Sequence, residues 1–154
     1  MDKKELEKAL GLFLALEMEQ VSLYQVQAAQ TADEHSAMAL KHFAQIEQGH
    51  VDNIGAALQS LGGEPGLLAA VSPTFGKIAG HMTEVTGLVN LLRANIIIET
   101  FATRHYRYLI DRVEDPGLRE LLYMNMIDEE LHRAWMIDKV RELTGADEEK
   151  KKLQ

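Results

Sequence analysis

Two short Glu-x-x-His motifs are the residues of this sequence that point most directly to chemistry. The first contains Glu47 and His50, the second contains Glu129 and His132, and the motif occurs nowhere else in the chain. Residues three positions apart lie on the same face of an α-helix, so each pair can bind one metal ion together. Mixed carboxylate and imidazole ligands suit iron or manganese and argue against a soft-metal site.

The two motifs belong to a longer pattern that occurs twice in the chain. Glu17 stands 30 residues before the first motif, and Glu99 stands 30 residues before the second. Tyr24 and Tyr106 follow these two glutamates by seven residues, so all the correspondences share one offset of 82. The repeat predicts two similar halves around a pseudo-twofold axis, with two metal ions close to that axis.

All six carboxylate and imidazole residues lie on apolar stripes, which recur in steps of three or four residues along the predicted helices. Buried side by side without a counter-charge, these groups would cost several kcal/mol each. Two bound cations remove that cost. A structural bundle without metal is the competing interpretation, and it would have to bury four carboxylates around nothing.

The spacing of the apolar residues predicts four long helices. Their approximate ranges are 3–30, 32–61, 83–113 and 116–144. Between the first two, Thr31 and Glu34 have the spacing of a capping box. Asp115 and Pro116 open the fourth helix, and Gly145 is the residue expected to end it.

The lengths of the connections predict how these helices are arranged. The first and second helices are joined by a short turn, as are the third and fourth, so each pair forms an antiparallel hairpin. Residues 62–82, which contain Pro65, Pro73 and several glycines, form a long connection. The sequence therefore predicts an all-α fold over residues 1–154: a ferritin-like four-helix bundle of two helical hairpins joined by one long crossover.

Composition excludes several function classes. The formal net charge is −8, and no basic face is available for nucleic acid. The chain has no cysteine, which excludes thiolate metal sites, disulfides and a thiol nucleophile. No apolar run reaches the length of a membrane span, and no signal peptide is evident, so a cytoplasmic protein is expected.

On these motifs the sequence resembles the ferritin-like di-iron carboxylate proteins, which include bacterioferritins, rubrerythrins and demethoxyubiquinone hydroxylases. The resemblance covers nearly the whole chain and implies two iron ions, with manganese or a mixed pair as the alternative. The ligands that it implies are Glu17 and Glu99 as terminal ligands, Glu47 and Glu129 as bridges, and His50 and His132 with one metal each.

The resemblance also assigns a role to the two repeated tyrosines. Tyr24 would hydrogen-bond the carboxylate of Glu99 on the facing helix, and Tyr106 would hydrogen-bond Glu17. Such bonds fix the orientation of metal ligands. The alternative is that both tyrosines are ordinary amphipathic residues of the core.

The sequence departs from two of these families at positions that matter for cofactors. Rubrerythrins carry a cysteine-ligated rubredoxin domain and an additional glutamate near the third-helix ligand, and neither is found here. Electrons would therefore come from a separate protein. Bacterioferritins place a haem-binding methionine directly after the second-helix glutamate, where this chain has Gln48, so no haem is expected.

The repeat is imperfect next to the ligands. Asn95 and Asn125 stand one turn before the second-half glutamates, at positions where the first half has phenylalanines. These asparagines either satisfy buried helix contacts or make one side of the site more polar, so that the two metals differ. Asp128 precedes the second motif, and our hypothesis is that it accepts the ring N–H of His50 across the bundle.

The resulting functional prediction is a di-iron oxidoreductase that reduces or activates dioxygen or peroxide, with an unknown substrate and no catalytic residue beyond the metal ligands. One alternative is a ferroxidase or iron-storage protein of ferritin type. Another is a monooxygenase similar to demethoxyubiquinone hydroxylases, for which the apolar segments 67–71 and 75–78 could contact a lipid surface. A homodimer is expected.

Overall fold

The structure, a computed structural model, describes residues 1–63 and 87–152, with the side chains beyond residue 145 excepted. Within these ranges the chain forms four helices and no strand: α1 (Lys3–Gln30), α2 (Glu34–Ser60), α3 (Leu88–Ile110) and α4 (Pro116–Lys152). The all-α prediction is confirmed. None of the described helices is apolar enough over a sufficient length to cross a membrane.

The helices pair as two hairpins. α1 packs along α2, α3 packs along α4, and α2 also contacts α4. Short turns at 31–33 and 111–115 join the members of each hairpin. The predicted crossover 62–82 lies outside the described residues except for its first two positions, and so does the predicted start of the third helix near residue 83. α3 ends at Ile110, three residues before the predicted end.

The predicted capping box at Thr31 and Glu34 is wrong. The hydroxyl of Thr31 donates to the carbonyl of Gln27 at 2.7 Å and so closes α1. Asp33 is the residue that caps α2, since its carboxylate accepts the backbone N–H of Ser36 at 2.8 Å. Residues 31–33 separate the two helices, so Thr31, which closes α1, lies too far from the first turn of α2 to cap it.

The start of α4 agrees with the prediction, and its end does not. At the start, Asp115 accepts the backbone N–H of Leu118 at 2.7 Å, just before Pro116, as an N-cap should. At the other end the helix continues through Gly145 to Lys152, so the predicted stop is wrong. One glycine costs a helix only about 1 kcal/mol, and the Glu and Lys residues that follow are good helix formers.

The core consists of two apolar clusters, one toward each end of the bundle. One surrounds Tyr106 and includes Leu10 and Leu122. The other surrounds Tyr24 and includes Leu40. Each such buried side chain contributes roughly 1.5–3 kcal/mol, so together they can hold a polar layer between them.

Candidate metal centre

The six carboxylate and imidazole residues meet in the polar layer between the two apolar clusters. All four helices contribute, because each residue lies on the inward stripe of its own helix. Every one of the six is at most 2 % exposed: Glu17, Glu47, His50, Glu99, Glu129 and His132.

These six side chains form two overlapping groups. In each group one ligand atom from every residue lies within 4.8 Å of the others. The first group is Glu17, Glu47, His50 and Glu129, and the second is Glu47, Glu99, Glu129 and His132. Glu47 and Glu129 belong to both groups, which is the arrangement that two adjacent cations with bridging carboxylates require.

Both imidazoles turn the same ring nitrogen toward the carboxylates. Nδ1 of His50 lies 3.0 Å from Glu47 Oε2 and 3.4 Å from Glu129 Oε1. Nδ1 of His132 lies 3.1 Å from Glu47 Oε1 and 3.6 Å from Glu99 Oε1. Nδ1 is therefore the atom that each histidine offers to a metal.

Unpaired oxygens at this centre show that the residues fit a pair of cations. Among the described side chains, Oε2 of Glu17, Oε2 of Glu99 and both oxygens of Glu129 are buried without a hydrogen-bond partner. Buried carboxylates in that condition are strongly unfavourable. Two divalent cations carry the charge that four carboxylates need, so the donor set fits a di-metal site.

Without metal, protons must balance this charge. Burial, followed by the nearby Glu47 carboxylate, raises the pKa of Glu17 to about 8 and that of Glu129 well above its usual value. Burial acts on Glu47 in the same direction, yet the close contacts of its carboxylate with His132 and His50 outweigh burial and lower its pKa to about 2. Glu47 therefore stays ionised at neutral pH.

The two histidines hold protons for the complementary reason. Burial acts to lower the pKa of His132, but the carboxylates of Glu129, Glu47 and Glu99, which lie 3.1–3.7 Å from Nδ1, outweigh it and raise the pKa to about 11. The pKa of His50 is raised further by its own carboxylate neighbours. A metal ion would have to displace these protons from Nδ1 before it could bind.

Two buried tyrosines hold the outer carboxylates of the centre. The hydroxyl of Tyr24 donates to Glu99, and that of Tyr106 donates to Glu17 Oε1 at 2.7 Å. Burial, reinforced by the same carboxylates, raises the pKa of both tyrosines well above the usual value, so they remain neutral donors. Each bond fixes one carboxylate oxygen, and the other oxygen, Oε2 in both glutamates, is buried without a hydrogen-bond partner among the described residues.

Asp128 lies against the outer nitrogen of one histidine. Its Oδ2 is 3.2 Å from Nε2 of His50, while its side chain stays 38 % exposed. This places a carboxylate of α4 behind an imidazole of α2, across the bundle. The contact keeps Nδ1 of His50 free to face the other carboxylates.

The two asparagines lie in separate networks. Asn125 donates to the hydroxyl of Tyr106 at 3.1 Å and accepts from Asn53 at 3.3 Å. Asn95 pairs with Gln27 through two hydrogen bonds of 2.7 and 3.0 Å. They do not form the single polar side that the repeat suggested. Because α3 and α4 are antiparallel, the position one turn before the ligand lies toward one end of the bundle on α3 and toward the other end on α4.

Sequence reasoning missed three glutamine and asparagine residues around the centre. Gln20 is buried and donates to Glu47 Oε1 at 3.3 Å. Gln27 and Asn53 take part in the two networks described above. Gln20 stands three residues after Glu17 on the same stripe of α1, and that spacing was the signal that could have found it.

The comparisons with known proteins agree with this architecture. The sequence model of the family described as "Ubiquinone biosynthesis protein COQ7" matches residues 7–147. No protein of curated function is detectably similar in sequence. A solved structure of a dodecameric thioferritin, the bacterioferritin-related protein from Bacteroides fragilis, superposes with a TM-score of 0.79. The superposition covers 97 % of this chain and 92 % of the thioferritin chain at 20 % sequence identity, which shows a shared ferritin-like fold.

Proposed function

The chain belongs to the COQ7 family, of the ferritin-like di-iron carboxylate proteins, and from this membership we propose that it is a non-haem di-iron oxidoreductase that reduces or activates dioxygen or peroxide. The observation that carries the proposal is the pair of buried ligand groups that share Glu47 and Glu129. A site for one metal would need neither the second histidine nor the second terminal glutamate.

The residues of the chain divide the work of holding the metals. Glu17 and Glu99 would each hold one metal ion, and Glu47 and Glu129, which belong to both ligand groups, would be shared by the two ions. Two iron ions bound there would supply the electrons and the open coordination position for oxygen chemistry. The apolar clusters around Tyr24 and Tyr106 keep bulk water away from both ends.

The direct test of this activity is oxygen consumption by iron-loaded protein supplied with a chemical reductant. We expect Glu47→Ala to abolish turnover, since it removes a ligand common to both metals. The matched control is Glu130→Ala, because Glu130 lies in the same helix turn as Glu129 but pairs with exposed Arg107 at 2.7 Å. Equal turnover in both variants would contradict the proposal.

A narrower version of the proposal is hydroxylation of a precursor of ubiquinone. Its support is the description of the family, which names ubiquinone biosynthesis. Incubation of iron-loaded protein with a demethoxyubiquinone analogue, reductant and oxygen tests this version. It predicts a product heavier by one oxygen atom, and oxygen consumption without such a product would contradict it while leaving the oxidoreductase proposal intact.

A ferroxidase or iron-storage role is the second candidate function. Its support is the fold shared with the dodecameric thioferritin, a bacterioferritin-related protein. This candidate predicts a large particle that takes up many irons per chain. A separate electron donor, a homodimer and a cytoplasmic location are further expectations that follow from the resemblance and composition. Contact with a membrane surface belongs to the hydroxylase version alone, and its support is the apolar segments 67–71 and 75–78 of the sequence.

A further inference from the structure

We propose that the two metal positions are unequal, and that Asp128 makes the position ligated by His50 the tighter one. The inference rests on the proposed function only in requiring a two-metal site. It concerns the order in which the positions fill, and Asp128 acts in it as a positioning residue through His50.

The contacts of His50 fix its ring from both sides. Nε2 lies 3.2 Å from Asp128 Oδ2, and Nδ1 lies 3.0 Å from Glu47 Oε2. An imidazole that donates its outer N–H to a carboxylate is held in one tautomer and one orientation, and its other nitrogen becomes a stronger ligand. His50 is thus prepared to bind metal through Nδ1.

His132 has no such support. It is only 1 % exposed, yet its Nε2 has no hydrogen-bond partner among the described residues. The residue that corresponds to Asp128 at the repeat offset of 82 is Ile46. Ile46 on α2 and His132 on α4 line the same groove, and an isoleucine cannot accept a hydrogen bond.

The residues of α2 and α4 beside the two histidines also differ in polarity, and His50 again has the more polar neighbours. On the His50 side, Asn53 donates to Asn125, and Asn125 donates to Tyr106. At the offset of 82, these two asparagines correspond to Trp135 and Phe43.

On the His132 side the corresponding contacts are between aromatic rings. The ring of Phe43 lies 4.2 Å from that of His132, centroid to centroid, and 5.5 Å from that of Trp135. Between α2 and α4, polar side chains therefore lie on the His50 side where aromatic rings lie on the His132 side. Loss of an outer partner of a metal-bound histidine typically costs 10- to 100-fold in metal affinity, and we expect a difference of that order between the two positions.

The experiment is an anaerobic titration of metal-free protein with Co²⁺, followed by visible absorption and calorimetry. The wild type is expected to bind two ions in two resolved steps. Asp128→Ile copies the residue of the other half and should weaken the tighter step about 10- to 100-fold. Ile46→Asp supplies the missing partner to His132 and should strengthen the weaker step.

Two further measurements assign the effect to position and exclude a general loss of folding. Anomalous diffraction from crystals with one equivalent of Co²⁺ should show the metal beside His50, and beside His132 in the double variant Asp128→Ile/Ile46→Asp. Asp138→Ile is the matched control, since Asp138 lines the same groove and, among the described residues, pairs only with exposed Arg141. Both steps should be unchanged in that control.

The outcomes separate this inference from the proposed function. Two equal steps in the wild type, or an unchanged tighter step in Asp128→Ile, would overturn the inference and leave the di-metal site standing. Failure of the wild type to bind Co²⁺, Fe²⁺ or Mn²⁺ at all would overturn the proposed function and the inference with it.

Discussion

The hydroxyl of Tyr106 on α3 donates a 2.7 Å hydrogen bond to Glu17 on α1, so a fully buried phenol of one hairpin holds a carboxylate of the other. Asn125 on α4 donates in turn to that hydroxyl. Three helices thus meet at one oxygen atom, at the edge of the metal centre. The relationship joins the stability of the bundle to the geometry of its ligands.

Removal of the Tyr106 hydroxyl tests how much it contributes to the stability of the fold. Tyr106→Phe leaves Glu17 Oε1 and the Asn125 amide buried without their partner, so we expect metal-free protein to lose about 1–3 kcal/mol of unfolding free energy. Urea denaturation measures the loss. Tyr108→Phe is the control, because Tyr108 lies on the same helix with 51 % of its surface exposed and should be neutral. Equal stability of the two variants would count against a structural role for the bond.

Metal binding should release protons. At pH 7 the metal-free centre holds protons on Glu17, whose pKa is about 8, and on His132, whose pKa is about 11. Since both ligands bind metal without these protons, binding should release roughly two or more protons per chain and tighten as pH rises from 6 to 8. Anaerobic calorimetry with Mn²⁺ in buffers of different ionisation enthalpy counts them. Heats that do not depend on the buffer would refute this prediction.

The stability of metal-free protein should fall as pH rises above about 5. The pKa of Glu17 rises from 4.5 to about 8 on folding, so its contribution is complete below 4.5 and is lost as pH approaches 8. His132 adds a loss that begins above 6.5 and continues toward 11. Each unit of pKa difference is worth about 1.4 kcal/mol, so the decline between pH 5 and 8 should reach a few kcal/mol.

The acid side of the same profile has the opposite sign. The pKa of Glu47 falls from 4.5 to about 2 on folding, so its contribution is present above 4.5 and is lost as pH falls toward 2. Urea midpoints of metal-free protein should therefore be highest near pH 5, whereas metal-loaded protein should not decline toward pH 8. A midpoint that rises steadily from pH 5 to 8 without metal would show that the centre does not retain these protons.

The meeting of six side chains at one place could be predicted from the sequence because regular helices convert spacing into direction. Glu47 and His50 share a helix face at a separation of three, and the offset of 82 repeats that face in the other hairpin. The cross-bundle position of Asp128 against His50 follows from the same symmetry. The helical spacing and the internal repeat are therefore enough to place the six ligands and Asp128 relative to one another.

The helix ends and the outer polar network could not be predicted in the same way. Thr31 and Asp33 are both good capping residues, and only the path of the chain between α1 and α2 decides which one caps. Gly145 is a common helix terminator, but α4 continues through it. The separation of Asn95 from Asn125 follows from the predicted antiparallel pairing of α3 and α4, but their partners Gln27 and Asn53 are not marked by the repeat.

An aerobic titration of metal-free protein with ferrous iron, followed by gel filtration and a count of the bound iron, distinguishes a di-iron site from an iron store. We expect saturation at two irons per chain, because the two ligand groups share Glu47 and Glu129. Glu47→Ala should lose both irons while Glu130→Ala keeps them. Continued uptake of many irons in a large particle, or no bound iron in the wild type, would contradict a catalytic di-iron site.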